Sequence, residues 1–181
     1  MYFEKCGKIN AKETVELAIK AAKEKGINYI VVASNEGETA ELLKDCEINV
    51  VVITHSNGFK QAGTQEMDEN KKKQLESYGF KVYTSTHALS GAERSLSNKF
   101  GGVSPIEIMA YSLRMLGQGV KVCVEISTMA LDGGMIPYGE DIIAIAGTGR
   151  GADTAITLRP AHGANILDTK IKEIICKPKD W

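Results

Sequence analysis

Along the first half of the chain, stretches with helical apolar spacing alternate with short unbroken apolar runs. Val15, Ala18, Ile19 and Ala22 form one stripe behind Asn10, an N-cap type of residue, with Glu13 three positions on and Gly26 as the stop. Tyr29-Ile30-Val31-Val32 and Val50-Val51-Val52-Ile53 show no alternation, the mark of strands covered on both faces. Between them, Ser34-Asn35-Glu36-Gly37 opens a short helix through Leu42 and Leu43. Met67, Leu75 and Tyr78 suit a third helix ended by Gly79, and residues 80–83 a third strand. Helices alternating with buried strands require crossover connections, hence a mainly parallel α/β sheet.

The second half is less regular. Ser90 with Glu93, and Ser104 with Glu107, both fit the capping-box spacing, and Pro105 sits where a first-turn proline is tolerated. Two helices are therefore expected around Phe100-Gly101-Gly102, the second reaching Gly117 and burying Met109, Leu113 and Leu116. Met109, Met115, Met129 and Met135 read as helix-core filler. Residues 120–126 alternate like a strand, yet no turn signal comes before Gly133-Gly134, a span of helix length; periodicity leaves both readings open. Ile142-Ile143-Ala144-Ile145-Ala146 is a further buried strand, and Thr154 to Leu158 another.

Composition narrows the partners. With 181 residues, 43% hydrophobic and 25% charged, the chain reads as one globular domain over 1–181. A net charge of −1 argues against nucleic acid or an anionic membrane as partner. The N-terminus lacks a signal-type apolar stretch, and no apolar run approaches the roughly 20 residues of a membrane helix. Cys6, Cys46, Cys123 and Cys176 are scattered, as expected of reduced thiols in a cytoplasmic protein, with Cys123 buried and inert. Three histidines without His-x-x-x-His spacing give no reason to expect a metal.

The candidate chemistry lies after the strands. Gly147-Thr148-Gly149-Arg150-Gly151-Ala152-Asp153 follows an apolar run, and glycines there let backbone N–H groups approach an anion. Arg150 adds a planar fork suited to phosphate or carboxylate. The plainer reading is a connection between two strands, because no helix follows as a dinucleotide fingerprint requires.

Residues 120–153, with Glu125-Ile126, Met129-Ala130, Asp132-Gly133-Gly134, Ile136-Pro137 and the Gly-Thr-Gly-Arg-Gly-Ala-Asp string, resemble small stand-alone proteins similar to the C-terminal α/β domain of pyruvate kinase. Residues 30–40, Ile-Val-Val-Ala-Ser-Asn-Glu-Gly-Glu-Thr-Ala, match the same group, at the place of that domain's effector-phosphate loop. The resemblance implies a three-layer α/β/α sandwich on a mixed five-stranded sheet of order 3-2-1-4-5, the fifth strand antiparallel. It implies strands near 28–33, 49–54, 80–84, 141–146 and 153–159 and a helix for 120–131; the alternation of residues 171–176 allows one further strand. In that order, winding reverses between the first and fourth strands, and open α/β sheets bind ligands outside such a switch point.

The resemblance also implies flavin mononucleotide (FMN) as cofactor, within a broader expectation of a phosphorylated small molecule. The residues placed at its site are Ser34, Asn35, Gly37, Glu38, Thr39, Thr54, His55, Gly147, Thr148, Gly149, Arg150, Gly151 and Asp153. Glu36 and Glu38 would repel a phosphate unless they point outward, and Phe59 or Phe100 would wall the ring. His55 and His87, each after a threonine at a strand end, are the candidates for proton transfer or for plain loop hydrogen bonding; His162 has a weaker claim. No pyruvate kinase activity is expected, since that family's catalysis sits in a separate barrel of roughly 250 residues. A ligand-binding domain, a flavin-dependent oxidoreductase or small transferase, and a regulatory subunit remain open alternatives, as does a homo-oligomer.

Overall fold

A computed structural model describes residues 1–181. Its strands are β1 (Tyr2–Phe3), β2 (Tyr29–Ala33), β3 (Asn49–Ile53), β4 (Lys81–Tyr83), β5 (Ile142–Ala146), β6 (Thr154–Arg159) and β7 (Lys170–Pro178). The helices are α1 (Ala11–Lys25), α2 (Glu38–Glu41), α3 (Glu69–Ser77), α4 (Ala92–Phe100), α5 (Pro105–Arg114) and α6 (Gln118–Asp132). One seven-stranded sheet has the order β1-β7-β6-β5-β2-β3-β4. The expected five strands and their order hold within it, β6 running antiparallel to β5. The tail adds β7 against β6, and the N-terminus adds β1 against β7, so the five-strand count is corrected to seven.

Strand pleating divides the core. Ile30, Val32, Val50, Val52, Ile143 and Ile145 face one way, against Val15, Ala18 and Ala22 of α1 and Leu75 of α3. Val31, Val51, Ile53, Ile142, Ala144 and Ala146 face the other, against Val120, Cys123, Val124 and Ala130 of α6. Both faces of the central strands are thus covered, which is why their sequences carry no polar alternation. The ambiguous segment is helical: as α6 it buries nearly every position, and Gly119 brings it so close to the sheet that a Cβ there would sit 2.1 Å from Thr154 Oγ1.

Several local expectations are corrected. Asn10 stands at the N-cap of α1, but its side chain donates to Lys5 O instead of capping. Helix α4 starts without a side-chain cap, Glu93 accepting from Gly91 N, so Ser90 makes no capping box. Ser104 and Glu107 do form one at α5. That helix stops at Arg114, short of Gly117, and leaves Leu116 exposed and Met115 at 77% exposure, so neither is core. No helix is long and apolar enough to cross a membrane. All four cysteines are free, with Cys123 and Cys176 buried.

Candidate functional site

The connections leaving β2 and β5 meet at the switch point, although more than a hundred positions separate them in the chain. Ser34, Asn35, Glu36, Glu38 and Thr39 from the first, and Gly147, Gly149, Arg150 and Gly151 from the second, line one cleft of about 300 Å³. His55 and Phe59, following β3, and Gln118 and Val122 of α6 complete its wall. A larger depression of about 600 Å³ lies at the other end of the sheet, lined by Lys25, Asp141, Arg159, Lys172 and Glu173. Its cations are all spent on carboxylates: Arg159 and Lys172 both bond Asp141, and Lys25 pairs with Glu173. Those partners hold the Asp141 carboxyl below its ordinary range, chiefly through the Lys172 hydrogen bond. The switch-point cleft, which adds the Asn35 and Gln118 amides and the rings of His55 and Phe59 to its charged groups, is the better candidate.

The two loops owe their shape to the N-terminal segment. Gly7 N and Thr148 N both donate to Asp153 Oδ2, at 2.8 and 3.1 Å, and Thr154 Oγ1 donates to Asp153 Oδ1 at 2.8 Å. Asp153 is fully buried, so it is a latch on the β5–β6 connection and does not line the cleft, contrary to expectation. Gly151 packs on Lys8, where a Cβ would meet Lys8 Cα at 2.4 Å, and Gly147 packs on Gly151 O. These two glycines serve loop packing; Gly149, at φ +73° with open space around it, faces solvent and the cleft. Thr148 also turns away, its Oγ1 buried without a hydrogen-bond partner. Gly37 is buried against Lys71 and does not line the cleft either.

Electrostatics in the cleft are nearly balanced. Arg150 pairs with Glu36 at 2.7 Å, and Lys8 with Glu38 at 2.5 Å. The Lys8 hydrogen bond holds the Glu38 carboxyl below its usual range. Glu36 therefore points into the cleft and occupies the arginine that an incoming anion would use. Ser34 Oγ accepts from Ala40 N at 3.3 Å, at the start of α2, leaving its own proton free to donate.

Beside this cleft, and sharing Ala33, Asn35, His55, Phe59, Gln118 and Val122 with it, lies an inner compartment of about 180 Å³. Phe59 packs on His55 with ring centroids 3.9 Å apart and planes tilted by 35°, and His87 stands 5.2 Å from Phe59 and 5.5 Å from His55. His55 Nδ1 bonds Glu66 at 2.5 Å, while Thr54 is buried and hydrogen-bonds Thr84. Burial is the main cause of a lowered His87 pKa; His55, Lys121 and Arg94 lower it further, and Glu125 opposes them. Phe59 thus lines both spaces; Phe100, at 75% exposure on α4, borders neither. His162 pairs with Asp132 away from the crevice.

Sequence reasoning used Glu125 only as part of the resemblance and gave neither Lys121 nor Glu125 a place at the site. They lie one turn apart on α6, form a buried pair at 2.5 Å, and line the inner compartment. Two charges inside an otherwise apolar helix are the signal that marks them.

A family model described as pyruvate kinase, alpha/beta domain, matches residues 12–159. The chain belongs to that family. Among solved structures it is similar to pyruvate kinase of Cryptosporidium parvum, at 13% identity and TM-score 0.38, over 90% of this chain and 22% of that one. The same organism's enzyme in complex with ADP matches at 14% identity and TM-score 0.40, over 90% of this chain and 23% of that one. The chain thus spans less than a quarter of those enzymes' length.

Proposed function

We propose that this chain is a ligand-binding α/β domain whose switch-point crevice holds a phosphorylated small molecule, with FMN as the candidate. The observation that carries this reading is the convergence of the 34–39 and 147–151 loops on one cleft that also contains the His55–Phe59 pair. A flat ring fits against that pair and Val122. Asn35, Gln118 and Ser34 offer amide and hydroxyl partners for a polyol chain. For the phosphate, Arg150 exchanges Glu36 for the ligand; both partners are largely exposed, so breaking their pair costs little. A phosphate carries more charge and more acceptor oxygens than Glu36, which favours the exchange. A bound flavin supplies electron and hydride transfer; the chain's own residues orient it and shield one ring face. No phosphoenolpyruvate turnover is expected of this chain, and a coupled assay with ADP that detects it would contradict the reading.

Fluorescence titration with FMN and with riboflavin tests the site. FMN should bind saturably and more tightly than riboflavin, which lacks the phosphate. Arg150→Ala should weaken FMN by about 1.5–3 kcal/mol, the scale of a charged hydrogen bond, and leave riboflavin affinity and melting temperature nearly unchanged. Absence of saturable FMN binding removes the cofactor. Unchanged FMN affinity in Arg150→Ala removes the arginine from the site.

A further inference from the structure

The inner compartment has a charge distribution that FMN binding does not require. Lys121 and Glu125 are each 4% exposed on a helix whose other buried positions carry no charge. Both oxygens of Glu125 are engaged: Oε2 by Lys121 Nζ, and Oε1 by Leu89 N at 2.8 Å. The Lys121 ammonium makes no other hydrogen bond, so two of its three N–H groups have no protein acceptor. A buried charge left partly unsatisfied is costly, and native interiors rarely keep one. Here it faces a partly open space.

Two further cations border that space. Arg94 makes no ion pair, and Arg114 spends only Nε, on Gln118 Oε1 at 2.7 Å, while its guanidinium lies over Tyr111. Three cations and a single carboxylate, Glu125, both of whose oxygens are engaged, therefore line this space. His87, kept neutral near pH 7 by burial, contributes a hydrogen-bonding ring without adding charge. The volume of about 180 Å³ falls below the range of clefts for drug-sized ligands, roughly 300 Å³ and upward.

We propose that the inner compartment is a subsite for a small oxyanion, a short carboxylate or a free phosphate, anchored by Lys121 and admitted past Arg94 and Arg114. It extends the crevice reading above, because the compartment opens onto the same cleft, but it does not depend on a flavin. An anion there lies beside the ring-binding wall, the position of a second substrate or an effector and distinct from the phosphate held at Arg150.

Calorimetric titration of the full chain with malonate and with inorganic phosphate, at low ionic strength, tests this and separates the two anion types. At least one should bind saturably with one equivalent. The paired substitution Lys121→Met with Glu125→Gln removes the ion pair without stranding a charge, and should weaken that binding about tenfold or more. Arg94→Gln and Arg114→Gln should each weaken it by about threefold and keep it measurable if the paired variant does not fold. No saturable binding of either anion, or binding unaltered by the Lys121, Arg94 and Arg114 changes, would overturn the proposal. Lys121-dependent anion binding without FMN binding would support it and discard the flavin.

Discussion

At the scale of single residues, Asp153 accepts two backbone N–H groups and one hydroxyl while wholly buried. Asp153→Ala strands the Gly7 and Thr148 amides, at about 1–3 kcal/mol for each donor left unpaired, so the denaturation midpoint should fall well below that of the wild type. A midpoint unchanged within error would contradict the latch. His87 makes a pH prediction. Burial places its folded pKa below its ordinary value near 6.5, so the unfolded chain binds the proton first. Its contribution to stability is complete above that value and is lost as pH falls through the folded pKa. Comparing His87→Gln with wild type between pH 7.5 and 5 checks this: the variant's stability should fall less steeply with acid. Asp153 and Arg150 both drew attention as polar groups near glycines, yet only Arg150 lines the cleft. Sequence cannot separate them, because the bonds that hold Asp153 come partly from Gly7, 146 positions away. Lys121 and Glu125 were not read as a pair because the segment's helix-or-strand ambiguity hid their one-turn spacing.

At the scale of elements, the unbroken runs that became β2, β3 and β5 were legible because burial on both faces leaves a plain apolar signature. The capping box of α5 was legible too, whereas Asn10 and Ser90 had the right residue types without the geometry. Strand β1 and the Lys8 turn were not anticipated; their roles are long-range, Lys8 tying Glu38 of one loop while packing on Gly151 of the other. Helix α6 tests the packing argument directly. Because a Cβ on Gly119 would collide with buried Thr154, Gly119→Val should destabilise by about 1–3 kcal/mol or more, read as a lowered melting temperature. A variant as stable as the parent would mean that α6 can move away from β6.

At the scale of the whole molecule, β2 and β5 are adjacent and parallel while their connections diverge, so the sheet itself creates the crevice between the two loops. That location could be argued from strand order before any side chain was placed. The charge state within it could not, since the Arg150–Glu36 and Lys8–Glu38 pairs depend on loop conformation. The most direct measurement is backbone amide chemical-shift mapping as FMN is added to the isotopically labelled full chain. Concerted saturable shifts are predicted in residues 34–39, 55–59 and 147–151. Shifts confined to the opposite end of the sheet, around Lys25, Asp141 and Arg159, would contradict the account.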